Sequence, residues 1–205
     1  MARKSGDRFS DKARHQSKPV ADILTIGHSN HPLAAFLKLL TDNGVKAVAD
    51  VRSTPGSRRF PQFNQKRLEA ALKENGIAYV FMGDALGGRP KDKGLWRGAR
   101  PDYQRMAQTP AFKADVKQVR KTPGICLMCA EKEPLDCHRC LMVARSLTRD
   151  SVGHILADGS VEAHATTEQR LLKWAKLPAD DLFQDAKGQL ARAYDKRADW
   201  LWGIK

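Results

Sequence analysis

Nowhere is this chain apolar for the roughly 18 residues that a membrane-spanning helix requires, so no membrane span is expected. Its N-terminus is polar from Met1 to Pro19 and lacks the apolar stretch of a signal peptide. Cysteine is missing everywhere except between Cys126 and Cys140, where four occur. A disulfide framework would spread its cysteines to staple distant loops. These thiols point instead to a reducing compartment and to chemistry, metal binding or packing. A cytoplasmic location is the expectation. Also lacking are an internal repeat, a second core and a complete glycine-rich phosphate loop.

What is present is enough length, 205 residues, for one domain with a full core and some tail. The net charge of +13 is unevenly placed. Residues 1–20 hold six Lys/Arg against two Asp, residues 52–73 six against one acid, and residues 85–121 ten against three. The remainder of the chain is net negative. Charge gathered in a tail and two loop-containing segments favours a polyanionic partner, most often nucleic acid, although a merely basic surface gives the same count.

The first 20 residues mix charge with Ser and Gly and read as a disordered basic arm. Beyond Asp22, short apolar runs alternate with segments of helical period. Five runs read as strands: 23–27, 45–51, 77–82, 124–130 and 152–157. Leu33, Phe36, Leu37 and Leu40 form one helical stripe, Leu68, Ala71 and Leu72 a second, Val116 and Val119 a third. Leu141, Ala144 and Leu147 form a fourth, with Asp136 placed to cap it. The expectation is a single α/β domain over residues 21–165, a mainly parallel sheet of about five strands flanked by helices in a Rossmann-like three-layer arrangement. Residues 166–205 read as a C-terminal helical extension packed on it. The stretch from Gly83 to Pro110 has no periodicity, and a loop of that length is usually functional or disordered.

Polar residues follow the strands. His28 and Ser29 come after the first, Asp50 and Arg52 at the end of the second, Cys129 and Glu131 after the fourth, then Cys137, His138 and Arg139. A parallel sheet brings such positions to one edge, which is where open α/β sheets carry their sites.

Five separated motifs in this order resemble the domain-of-unknown-function 488 family: TIGHS (25–29), DVRSTPGSR (50–58) with Phe63-Asn64, LGG (86–88), CAEKEPLDCHR (129–139) and His154-Ile155. The resemblance runs from about Thr25 to about His164. It implies an α/β fold and a shared site and supplies no substrate. Cys126 and Cys140 lie outside the family's pattern.

Glu131, Cys129 and Asp50 are the candidate catalytic residues: carboxylates for acid/base work and a thiol at a strand end beside basic loops. Cys137 sits at a helix start, where a thiol pKa falls. With it, His28, Ser29, Arg52, Arg58, His138 and Arg139 are the candidate substrate-binding residues, the guanidinium groups because their planar forks suit phosphate. Glu131 has a second reading, as the ion-pair partner of Arg139. A four-cysteine zinc site is disfavoured because Cys126 and Cys129, three apart in a strand, face opposite ways. A smaller site of Cys129, Cys137 and His138, with or without His28, stays open, but no cofactor is predicted. His154 reads as a satisfied core histidine. Together these point to an enzyme acting on nucleic acid or a nucleotide-like substrate through acid/base or thiol chemistry. The alternatives are a non-catalytic nucleic-acid-binding module, or a metal or redox enzyme acting on a small anion.

Overall fold

The computed structural model describes residues 21–177 and 185–204, so the expected basic arm of residues 1–20 lies outside the described residues. Five strands form a parallel sheet: β1 (Ile23–Gly27), β2 (Ala47–Asp50), β3 (Ala78–Phe81), β6 (Ile125–Cys129) and β7 (Val152–Ile155). A sixth, β8 (Val161–Ala163), pairs antiparallel with β7, and the order across the sheet is β3-β2-β6-β1-β7-β8. The short β4 (Trp96–Arg97) and β5 (Arg100–Pro101) make a separate hairpin inside the long connection.

The parallel strands are apolar on both sides because both are covered. Alternation sends Cys126 and Met128 to one face, against Phe36 and Leu40 of α1 (Leu33–Asp42) and Leu68 and Leu72 of α2 (Gln65–Glu74). Ile125, Leu127 and Cys129 go to the other face. There they meet α5 (Pro110–Lys121), the segment from Arg139 to Ser146, α6 (His164–Ala175) and α7 (Ala186–Leu201). The helical starts follow local chemistry at α5, where Thr109 caps Phe112 N and Pro110 occupies the first turn. Two single-turn helices, α3 (Gly83–Leu86) and α4 (Tyr103–Met106), tie the long connection to the body.

Two local expectations are corrected. The stripe of Leu141, Ala144 and Leu147 is a π-helical turn, Arg139–Val143, followed by a 3-10 turn, Ala144–Ser146, and not an α-helix. Asp136 does not cap it: the Cys137 carbonyl takes the first amides, from Cys140 and Leu141 at 3.0 Å, while Asp136 pairs with Arg197. The sixth strand arises from the turn at Asp158-Gly159, where Gly159 at φ +85° lets Leu156 N–H reach Ser160 O at 2.8 Å.

The C-terminal helices complete the second face. Leu171 and Ala175 of α6 and Ala193, Tyr194 and Ala198 of α7 are buried in the same cluster as Leu127. Arg197 fastens α7: its guanidinium bonds Asp136 and the Leu135 carbonyl and lies 4.4 Å and 4.3 Å over the Trp174 and Trp200 rings. Arg197→Ala is expected to destabilise the protein by about 1–3 kcal/mol, through lost packing as much as lost charge. Urea denaturation checks it.

Candidate active site

Three strand ends meet at one edge because the hydrogen-bond ladder runs past the strands. His28 N–H and Ser29 N–H continue it onto the Cys129 and Ala130 carbonyls at 2.8 and 2.9 Å, and Val51 N–H bonds Met128 O at 3.0 Å. Gly27 is required at this crossing, since a Cβ there would lie 1.8 Å from the Glu131 carbonyl oxygen. Ser29 takes the left-handed conformation, φ 45°, which for a serine stores strain at the mouth of the site.

Asp50 and Arg52 form a buried fork, with Nε to Oδ1 at 2.9 Å and Nη2 to Oδ2 at 2.6 Å. Tyr79 also donates to Asp50, and Arg52 donates to the Phe63 carbonyl and contacts His28 Nε2 at 3.3 Å. Four of the five guanidinium hydrogens are thereby used, leaving one Nη1 hydrogen for the cavity. His28 stacks on Phe63 at 4.3 Å, and burial, with the Arg52 charge added, pushes its pKa down to about 4. The neutral ring is fixed by its partners: Ser29 O only accepts, so Nδ1 carries the proton, and Nε2 accepts from Arg52.

Beyond β6, Cys129, Cys137 and His138 converge. His138 Nδ1 lies 3.7 Å from Cys129 Sγ and 3.9 Å from Cys137 Sγ, while Nε2 donates to the Val51 carbonyl at 2.8 Å. The LGG motif has its reason here, because a Cβ on Gly88 would come 2.6 Å from the His138 ring. Burial alone would raise the Cys137 thiol. The hydrogen bond with Cys129, the Arg139 guanidinium and His138 outweigh it and hold Cys137 well below the usual thiol range. Cys129, donating that hydrogen bond and buried, is pushed well above it. Burial would lower His138, but the Cys137 charge prevails and raises it.

A cavity of about 1160 Å³ opens over this edge. It brings together His28, Ser29, Arg52, Cys129, Glu131, Cys137 and His138 from the sequence-expected set. Asp50, Arg58 and Arg139 are not in its lining. Asp50 lies beneath Arg52, and Arg58 is exposed outside. Arg139 is fully buried, its guanidinium donating to the Glu131 and Lys132 carbonyls at 2.5 and 3.1 Å. The Glu131–Arg139 contact thus runs through the backbone and not through the carboxylate. The Glu131 side chain stands at the rim, where lost water contact, and then the Cys137 charge, raise its pKa.

Two clusters among the described residues could hold a metal ion, Cys129/Cys137/His138 and Cys140/His154/His164. The second is closed and internally bonded, Thr25 to His154 Nδ1 at 2.7 Å, His154 Nε2 to His164 Nδ1 at 2.9 Å, and His164 Nε2 to Tyr194 at 3.1 Å. His154 is the satisfied core histidine expected. Cys126, on the opposite sheet face, joins neither.

The family model for the domain of unknown function DUF488 matches residues 32–146, more than half of the chain. The chain belongs to the DUF488 family. No curated protein and no solved structure matches it. Of the DUF488 motifs, TIGHS and His154-Ile155 fall outside the matched span, and TIGHS supplies one wall of the cavity.

Other cavity residues lie outside the candidate set, although Arg89 and Tyr103 come from the long connection expected to be functional or disordered and Lys132 from the CAEKEPLDCHR motif. Arg89, Tyr103, Lys132 and Trp202 also line the cavity. Trp202 follows α7, and only the folded chain brings it beside Arg89, whose guanidinium lies 5.4 Å over its ring. Much of the positive charge of residues 85–121 is engaged elsewhere: Arg97 and Arg100 pair with Asp199, and Arg120 with Asp150.

Two predictions follow from the geometry of this DUF488 site. Asp50→Asn leaves Arg52 buried without its charge partner and is expected to cost about 3–5 kcal/mol, read by denaturant melts. His28, neutral when folded, protonates at its ordinary pKa when unfolded. Its stabilisation is therefore whole above about pH 6.5 and is lost as pH falls toward 4, amounting to about 3 kcal/mol. Stability measured against pH should fall less steeply over that window in His28→Gln than in the wild type; equal slopes would contradict the assignment.

Proposed function

We propose that this chain is an enzyme acting on nucleic acid or a nucleotide-like, phosphate-bearing substrate, with its reaction centre at Cys129, Cys137, His138 and Glu131. The observation that carries the reading is the composition of the cavity lining. Arg52, Arg59, Arg89 and Lys132 share the lining with two thiols, an imidazole and three carboxylates, of which Glu133 and Asp136 are already paired with Arg170 and Arg197 and Glu131 is left at the rim. Pure phosphate binding has no use for buried thiols, and a small uncharged substrate has no use for four cations. The volume exceeds the usual range for a drug-sized ligand, and Phe60, Tyr103 and Trp202 in the lining offer faces on which a base can stack. Arg52 is the positioned phosphate donor, Asp50 the residue that positions it, and Glu131 the acid/base group. The four free thiols fit a reducing compartment, and we place the protein in the cytoplasm.

The test is a titration with labelled single- and double-stranded oligonucleotides and with mononucleotides over a range of salt. Binding is expected to weaken by roughly one log per log of salt for each phosphate neutralised. Arg89→Glu and Arg59→Glu, both exposed, should weaken it without lowering the melting temperature. Binding to none of these ligands at low salt would overturn the reading.

A further inference from the structure

The floor of the cavity has a geometry that thiol chemistry alone does not require. In a tetrahedral zinc site with Zn–S about 2.3 Å and Zn–N about 2.0 Å, the ligand edges are about 3.5 Å from N to S and about 3.8 Å from S to S. His138 Nδ1 stands 3.7 Å and 3.9 Å from the two sulfurs, and the three atoms lie within 4.8 Å of one another. Both N–S edges are within about 0.4 Å of those of such a tetrahedron, and the two sulfurs are close enough to share one ion.

The surroundings agree. Metal-bound histidines donate their other ring N–H to an oxygen acceptor, which fixes the ring. His138 Nε2 does so to the Val51 carbonyl at 2.8 Å, and since a carbonyl only accepts, Nδ1 is the nitrogen left to face the sulfurs. Cys137 Sγ accepts from Arg139 N–H at 3.4 Å, the kind of backbone bond that steadies a thiolate ligand. Gly88 lies against the ring on the side where a Cβ would displace it. Among the described residues no fourth His, Cys, Asp or Glu joins this group. All three ligands line the cavity, as does Glu131, so the fourth position faces the space a substrate would enter.

We propose that Cys129, Cys137 and His138 bind a thiophilic divalent cation of the zinc class, with the fourth position open to the cavity. Three protein ligands and an open position are the pattern of a catalytic zinc site, whereas structural sites are closed by four. Glu131 is a carboxylate lining the same cavity. This inference rests on the reading of the cavity as a reaction centre and makes the metal its electrophile.

The experiment uses the full chain, expressed with added zinc and analysed for metal per chain, and then loaded with Co²⁺ for absorption spectroscopy. One zinc per chain is expected, and the Co²⁺ form should show thiolate charge-transfer absorption of two-sulfur strength. His138→Gln should lose the metal while circular dichroism stays native, and Cys137→Ser should lose it with a lowered melting temperature. Cys140→Ala, in the other cluster, should retain it. If the cysteine variant does not fold, the wild-type Co²⁺ spectrum still decides, since the Cys140 cluster has one sulfur and this one has two. No bound zinc or Co²⁺, a one-sulfur spectrum, or loss of metal in Cys140→Ala but not in Cys137→Ser would overturn the inference. Oligonucleotide binding by a metal-free protein would sink the metal and leave the substrate reading intact; a metal-loaded protein that binds no nucleotide would do the reverse.

Discussion

Arg139 is a positive charge taken wholly out of water, and the edge of the sheet is organised around the cost of putting it there. Its guanidinium bonds the Glu131 and Lys132 carbonyls, which hold the turn after β6 against β1, and its Nε finds no hydrogen-bond partner among the described residues. No carboxylate pairs with it among the described ion pairs. The group that offsets it is Cys137, whose thiol is pulled down by the hydrogen bond with Cys129 and then by Arg139, and which in turn raises the Arg139 pKa. A buried cation without a compensating anion costs several kcal/mol, so the lowered Cys137 thiol bears on the fold as well as on any chemistry.

The other side of the cavity uses the same device in reverse. Asp50 at the end of β2 is an acid with no exposure, paired with Arg52 two residues on and accepting a hydrogen bond from the Tyr79 hydroxyl. That fork aims Arg52 at His28, whose neutral ring closes the line between β2 and β1. One pair turns a cation toward the cavity and the other a thiol. The closed chain of Thr25, His154, His164, Tyr194 and Glu168 then ties the β1–β7 side of the sheet to α6 and α7.

Most of this fold was readable because it depends on period. Runs apolar on both faces demand a sheet covered twice, and helical stripes such as Phe36 with Leu40 supply the cover. Where packing set the geometry instead, the reading failed. The stripe from Leu141 to Leu147 looks α-helical, but the chain must start it from Cys137 while keeping Arg139 inward, and it widens into a π turn. The sixth strand left a signal in Asp158-Gly159, a turn that folds the chain back on β7. Of the site residues, those at strand ends were legible because topology forces them together. Asp50 was legible either as the residue that orients Arg52 or as one that acts itself, and Arg139 either as an anion binder or as a brace for its loop, since only burial separates reaching the cavity from holding another group in place. Trp202 had no local signal, because its place depends on where α7 docks.

The central claim is that the Cys137 charge and the Arg139 charge hold each other in the interior. A double-mutant cycle of Cys137→Ser and Arg139→Met, measured by denaturant unfolding with a chelator present so that no bound ion contributes, tests it most directly. Each single change strands one charge, so both should destabilise, and the double variant should lose less than their sum by about 1–3 kcal/mol. Losses that add to within about 0.5 kcal/mol would mean that the two groups do not interact, and the account of the sheet edge would fail.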